Sequence, residues 1–320
     1  MDKPIPVLLD VDTGYDDALA LLLALGSPAL DVRAITCVAG NQRLPQVVTN
    51  TLKLLHALDD ETPVAAGMDR PLLEPMRPPL ALHGRDGMAD LDLPPSPRTV
   101  VPLHAVELMR RTLNASPEPV TLICLAPLTN IAVLLRMYPQ LQPKIGRIVV
   151  MGGTLAAHGN TSPAAEFNIR HDPEAAAVVL GSALPVCLYP LDVFRAISFS
   201  RQEAVEMAQS ASVAAQLAGR ILRFACEFFQ RDDALVGDAG TVATVIDPAA
   251  CQVAAYPVTV ELTGHATRGM TLLDRRLPGQ RARSTDWWET SPVTADVVTA
   301  VDASAYRHLL RATWSGTARP

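Results

Sequence analysis

Val7-Leu8-Leu9-Asp10-Val11-Asp12-Thr13-Gly14-Tyr15-Asp16-Asp17 begins as an apolar run and ends in a turn crowded with acids. A short apolar run closed by a glycine reads as a buried strand, and the stretch from Asp16 to Leu25 reads as a helix. Val32 to Ala39 is apolar again, so strand, helix and strand follow one another. That alternation predicts parallel strands joined by helical crossovers.

The pattern continues outward. Val120 to Leu125, Arg147 to Met151 and Val186 to Leu191 are predicted strands, with predicted helices at Pro45 to Leu58, His104 to Leu113, Thr129 to Tyr138 and Pro173 to Leu180. Arg201 to Arg231 reads as one long helix or two, and Gly240 to Ile246 as another. The chain then turns strand-rich: Cys251 to Leu262 and Met270 to Leu273 look like an antiparallel pair around Gly264. A last strand at Val298 to Val301 and an amphipathic helix from Asp302 to Trp314 follow. The expected fold class is α/β: a mainly parallel central sheet flanked by helices, with a small antiparallel addition near the C-terminus, in one domain over residues 1–320. The proline-rich part, Pro71 to Pro97, reads as a long surface excursion, and loops of that length are often functional.

With 320 residues the chain can bury a substantial core. Its net charge of -6 is spread without a basic block, which argues against nucleic acid as a partner and for a small polar ligand or another protein. Cys37, Cys124, Cys187, Cys226 and Cys251 lie far apart with no Cys-x-x-Cys pair, so they read as buried thiols. Met1-Asp2-Lys3-Pro4 lacks the layout of a signal peptide, and no apolar run reaches the length of a membrane span. A cytoplasmic protein with no membrane partner is expected.

In an open parallel sheet the ligand sits beyond the carboxyl ends of the strands. Here those ends carry Asp12 with Asp16 and Asp17, then Gly40-Asn41, Leu125-Ala126-Pro127-Leu128-Thr129-Asn130, Met151-Gly152-Gly153-Thr154, and Asp192. Four carboxylates within the eight residues Asp10 to Asp17 repel one another unless a cation or bound protons compensate. Oxygen-only donors with no nearby His or Cys favour calcium or magnesium over zinc, and calcium tolerates an irregular shell. The plainer reading has Asp16 capping the helix and Asp17 on its first turn. Asp10 and Asp12 at the end of an apolar strand weigh against it.

A second constellation, Asn160, Glu166, Asn168, Arg170, His171 and Asp172, brackets Phe167-Asn168-Ile169. It suits a hydroxyl-rich ligand such as a sugar, or else a surface loop leading into the helix opened by Pro173. Asp238, in Val236-Gly237-Asp238-Ala239-Gly240, fits a helix N-cap. His83, in His83-Gly84-Arg85-Asp86-Gly87, is either an ordinary loop residue or part of a lid over the site.

Together and in this order, these residues resemble the inosine-uridine-preferring nucleoside hydrolase family. Asp10 to Asp17 is similar to its Asp-x-Asp-Pro-Gly-x-Asp-Asp signature, Val38-Ala39-Gly40-Asn41 to its Gly-Asn turn, and Pro127-Leu128-Thr129-Asn130-Ile131-Ala132 to its central motif. Met151-Gly152-Gly153 resembles its next strand end, and Glu166-Phe167-Asn168-Ile169 with Asp172-Pro173-Glu174-Ala175-Ala176 is the most distinctive match. The similarity runs from about residue 5 to the terminal helix. It implies a nucleoside hydrolase fold with a Rossmann-like core, and hydrolysis of the N-glycosidic bond of ribonucleosides to free base and ribose with Ca2+ as cofactor. By position it assigns the calcium to Asp12, Asp17, Asp238 and the main-chain carbonyl of Leu125, and makes Asp12 the general base on a metal-bound water. The ribose hydroxyls fall to Asp16, Asn41, Asn160, Glu166 and Asn168, helped by the main chain near Met151, with His83 also expected on the substrate side. A homo-oligomer, dimer or tetramer, is implied as well.

The chain departs from the family pattern on one side of the site. Many members carry a His just before the last metal-binding Asp, where it protonates the leaving base; here that position is Gly237. Thr13 replaces the proline of the first motif, and Phe194-Arg195 stands where Thr-His is frequent. Losing general-acid help costs about two to four powers of ten in rate. One expectation is an active enzyme that treats the leaving group differently, by stacking from Phe228 or Phe229 or by a donor such as His83, Arg231 or Arg195. Another is a protein that binds a ribosyl compound, or acts on a non-standard riboside, with little turnover of common nucleosides. A weaker alternative is a metal-dependent phosphatase, because Asp10-Val11-Asp12 also suits a haloacid-dehalogenase-like nucleophile loop. Phosphoryl transfer needs cations around the phosphate, and the polar segments here are mostly amides and acids.

Overall fold

Strand β1, Ile5–Val11, sends Val7, Leu9 and Val11 into one apolar layer and Leu8 into another. This is the two-residue alternation of a strand covered on both faces. The computed structural model describes residues 3–76, 81–276 and 293–317, with residue 81 by its backbone only; part of the proline-rich excursion, residues 77–80, lies outside them. The further strands are β2 Leu30–Cys37, β3 Val64–Ala66, β4 Val120–Cys124, β5 Ile145–Met151, β6 Val186–Tyr189, β7 Ser198–Ser200, β8 Asp233–Leu235, β9 Cys251–Val260, β10 Thr271–Leu273 and β11 Thr294–Val301.

Nine of them form one sheet in the order β10-β9-β11-β6-β5-β4-β1-β2-β3. From β3 through to β11 every neighbouring pair is parallel, whereas β9 and β10 join antiparallel at the far edge. The expected mainly parallel sheet with an antiparallel addition is therefore present. Its strand order 3-2-1-4-5-6 reverses direction beside β1, which is where open α/β sheets bind ligands. Strands β7 and β8 pair antiparallel as a separate ribbon.

The helices are α1 Tyr15–Gly26, α2 Leu44–Ala57, α3 Ala105–Ala115, α4 Thr129–Met137, α5 Phe167–His171, α6 Pro173–Leu180, α7 Leu191–Phe194, α8 Arg201–Ala208, α9 Val213–Phe228, α10 Ala239–Ile246 and α11 Ala303–Trp314. One core layer joins α1, α2, α9, α10 and α11 to the sheet; the other joins α3, α4 and α6. Helix α1 touches the sheet as well as α9, α10 and α11, so Leu19, Leu21, Leu22 and Leu23 are all buried. Burial of each such leucine contributes roughly 1.5–3 kcal/mol, and it fixes the loop that precedes the helix.

The expected Arg201–Arg231 stretch is two helices, because Ser212 caps a new one after a serine-rich break. The last strand starts at Thr294, earlier than Val298. Among the described residues no helix is long and apolar enough to cross a membrane.

Candidate active site

Strand β1 ends at Val11, and the carboxylate of Asp12 follows, fully buried. Gly14 opens α1, and Asp17 in the first turn folds back to accept the backbone N–H groups of Gly14 at 2.9 Å and Asp12 at 3.2 Å. The turn after β2 supplies Asn41. Its backbone N–H donates to Asp12 Oδ2 at 2.6 Å, and its Nδ2 reaches both Asp12 Oδ1 and Asp17 Oδ2 at 3.2 Å. Gly40 makes this approach possible: a Cβ there would lie 2.0 Å from Asp12 Oδ2. The glycine before Asn41 thus gives the Asp12 carboxylate its space.

Carboxylate oxygens of Asp16, Asp17 and Asp238 lie within 4.8 Å of one another. Asp238 occupies the N-cap position of α10, yet its side chain makes no capping hydrogen bond. The N-cap explanation therefore does not account for where its carboxylate points. Burial and the charge of Asp16 push the Asp17 carboxyl up to about 7, against the opposing bonds from Gly14 and Asp12. Burial, then Asp17, raises Asp12 well above the usual carboxylate range; burial, then Asp16 and Asp17, does the same to Asp238.

Among the described residues no Lys or Arg pairs with Asp12, Asp17 or Asp238, and Asp16 Oδ1 has no hydrogen-bond partner. Buried like charges with oxygen-only donors and, among the described residues, no lysine or arginine partner fit a hard divalent cation. The main-chain carbonyl of Leu125 lies at the same cleft and accepts the Asn168 amide at 2.9 Å.

Asp10 belongs elsewhere. Its carboxylate accepts Thr36 Oγ1 at 2.6 Å and Asn130 Nδ2 at 2.8 Å, and burial raises it to about 7. It braces β2 and α4 and is not one of the three clustered acids.

A cleft of about 450 Å³ opens over these strand ends. Asp16, Asn41, His83, Leu125, Met151, Asn160, Glu166, Asn168 and Asp238 all line it, while Asp12 and Asp17 are buried next to Asn41. Glu166 caps α5, accepting the N–H of Asn168 at 2.8 Å, Ile169 at 3.0 Å and Gly153 at 3.1 Å; burial still raises it to about 7. Asn168 Nδ2 is shared between the carbonyls of Leu125 and Met151, at 2.9 and 3.2 Å. Arg170 and Asp172 do not line the cleft. Arg170 lies 3.7 Å from Glu74, and Asp172 caps α6 while accepting Thr129 Oγ1 and the Leu72 N–H.

His83 comes from the proline-rich excursion into the cleft. Its Nδ1 accepts the Tyr15 N–H at 3.3 Å and stands 3.7 Å from Asp16; burial lowers its pKa against the pull of that acid.

The remaining lining comes from α7, the end of α9 and β8, and includes Phe194, Arg195, Phe229, Arg231 and Leu235. Gly237 adopts φ +58°, and a Cβ there would meet Phe194 Cζ at 2.7 Å and Asp16 Cβ at 3.0 Å. Phe194 therefore fills the space beside position 237. Phe228 is outside the cleft lining and stacks on Phe224 with ring centroids 5.6 Å apart. Tyr15, Thr161 and Phe167 also line the cleft and are not among the site residues expected from the sequence. Tyr15, between Gly14 and Asp16, and Phe167, between Glu166 and Asn168, sit inside the quoted motifs; Thr161 and Leu235 carry no such signal.

Residues 7–308 match the sequence model of the inosine-uridine preferring nucleoside hydrolase family. The pyrimidine-specific ribonucleoside hydrolase RihA of Citrobacter koseri is 39% identical over 276 residues, which cover 84% of this chain and 88% of that protein. Among solved structures, the plant nucleoside hydrolase PpNRh1 aligns with a TM-score of 0.90 at 27% identity, over 98% of this chain and 99% of that one. The purine-preferring ribonucleoside hydrolase from Gardnerella vaginalis aligns with a TM-score of 0.88 at 28% identity, over 98% of each chain. The chain is thus a glycosidase acting on ribonucleosides and a member of the inosine-uridine preferring nucleoside hydrolase family.

Proposed function

We propose that this chain, acting as one domain, hydrolyses the N-glycosidic bond of ribonucleosides to free base and ribose with calcium held by Asp12, Asp17, Asp238 and the Leu125 carbonyl. The observation that carries this reading is the convergence of Asp16, Asp17 and Asp238 within 4.8 Å, with no basic side chain paired to Asp17 or Asp238 among the described residues. When bound, calcium offsets the repulsion among these acids and polarises the attacking water.

Asp12 acts as the general base. Asn41 holds both of its carboxylate oxygens, so the group is oriented before substrate arrives, and burial raises its affinity for a proton. Asp16, Asn41, Asn160, Glu166 and Asn168 hold the ribose hydroxyls. Three backbone donors fix the Glu166 carboxylate, and two carbonyls fix the Asn168 amide, so neither reorganises on binding. As the glycosidic bond breaks, positive charge grows on the ribose ring, and these carboxylates favour that state over the neutral substrate. Gly237 offers no proton to the departing base, which leaves beside Phe194 instead.

The test is a reducing-sugar assay across purine and pyrimidine ribonucleosides and p-nitrophenyl riboside, with calcium, after chelation and after calcium is restored. Sugar release that vanishes on chelation and returns with calcium is the expected result. Release indifferent to chelation overturns the metal assignment, and silence on every riboside overturns the reading as a whole.

A further inference from the structure

Among the described residues Arg195 and Arg231 line the cleft, and they are not equivalent. Arg231 is already neutralised, its Nε and Nη2 donating to Asp233 at 3.0 and 2.9 Å. Arg195 is exposed, lines the same cleft and has no carboxylate within ion-pair distance among the described residues. It directly follows Phe194, whose ring closes off the space beside Gly237. This side of the cleft therefore carries an uncommitted positive charge next to a position that cannot donate a proton.

We infer that the enzyme takes ribosides whose heterocycle bears a carboxylate, and that Arg195 is the specificity-determining residue that reads that charge; the inference rests on the hydrolase reading above. In the reaction the C1′–N bond breaks and its electron pair goes to the ring nitrogen. The water oxygen bonds to C1′, and its proton passes to Asp12. The heterocycle leaves as the nitrogen anion and takes up a proton from solvent, while Asp12 returns its own proton to solvent. The sum is riboside plus water giving ribose plus the N–H heterocycle.

A guanidinium keeps its proton throughout, so it contributes to this step as a fixed charge and not as an acid. A carboxylate on the ring pairs with it through two parallel hydrogen bonds, and the same charge offsets the electrons gathering on the departing ring. The rest of the cleft sharpens the choice. Asp16, Glu166 and Asp238 line it, so a carboxylated ring is repelled by the acidic wall and meets, among the described residues, the uncommitted Arg195.

Arg195 is solvent-exposed, which screens the pair; a discrimination of about tenfold is expected, less than a fully dry bidentate pair would give. The experiment measures kcat/KM with calcium for uridine, uridine-5-carboxylate and uridine-6-carboxylate, in the wild type and in Arg195→Ala and Arg195→Lys. The wild type is expected to favour at least one carboxylate over uridine by about tenfold, with the preference shrinking at high salt. Arg195→Ala should collapse that ratio, and Arg195→Lys should retain part of it. A wild-type preference for uridine over both carboxylates, or an equal loss on all three substrates in Arg195→Ala, overturns the proposal. Failure of the hydrolase reading is distinguishable, because p-nitrophenyl riboside would then release no sugar either.

Discussion

The wall formed by the ends of β1, β2, β4 and β5 ties its polar groups down: Glu166 accepts three backbone bonds, and Asn41 spans two carboxylates. The wall formed by α7, the end of α9 and β8 is held by ring packing, with Phe229 42% exposed and Arg195 facing solvent. A site made of interlocked buried charges tolerates little change, because moving one group leaves another unpaired. A wall of partly exposed rings, with Arg195 unpaired among the described residues, can be altered one side chain at a time. On the function proposed above, chemistry common to all substrates belongs on the first wall, and discrimination among them on the second.

The largest break in that comparison should come from Asp12→Asn. Removing the proposed base is expected to lower kcat by about two to four powers of ten while circular dichroism reports an intact fold. Near-full activity would take Asp12 out of that role. Gly40→Ala should follow, at about a hundredfold loss of kcat, since its Cβ displaces the Asp12 carboxylate from a position only 2.0 Å away. Phe229→Ala on the other wall should cost about tenfold or less, mostly in KM; equal losses from the two changes would erase the distinction between the walls.

Protonation offers a third handle. Folding raises Asp17 from 3.8 to about 7 and Glu166 from 4.5 to about 7. The native state therefore binds more protons than the unfolded chain between about pH 4 and 7, and stability of the metal-free protein falls as pH rises through that window. Calcium needs the deprotonated acids, so the increase in melting temperature on adding it should be greater at pH 8 than at pH 6. A metal-free melting temperature that rises steadily from pH 5 to 7 would contradict this account of the acidic wall.

The smallest effect is expected from Gly237→His. The left-handed φ of +58° costs about 1 kcal/mol for a side chain, and Phe194 leaves the imidazole no room. A lower melting temperature with no gain in kcat on uridine should result. A gain in kcat would show that Phe194 yields readily.

Much of the acidic wall is legible in the sequence because several of its residues lie at the ends of strands of recognisable length. Asp12, Asn41, Leu125 and Met151 sit where apolar runs give way to turns, and one rule about parallel sheets brings those turns together. Apart from the end of α9, the second wall is built from pieces too short to show a period. Helix α7 has four residues and β8 three, so nothing local announced that residues 194–195 and 229–235 share a cleft. Strand β3 is likewise too short to show in the sequence, and the early half of β11 is hidden because Thr294 and Asp296 interrupt its apolar character. Resemblance identified what was absent at Gly237; the packing of Phe194 against it is a long-range contact that the sequence could not display.

Helix α1 is buried on almost every side and starts within the acidic loop. Opening that loop would mean extracting a leucine-filled helix from between the sheet and three neighbours. The backbone amides of Leu19 to Leu23 should consequently exchange with solvent deuterium only through near-global unfolding. The cation would then meet a cage that exists before it arrives, and its release would leave the loop's backbone standing.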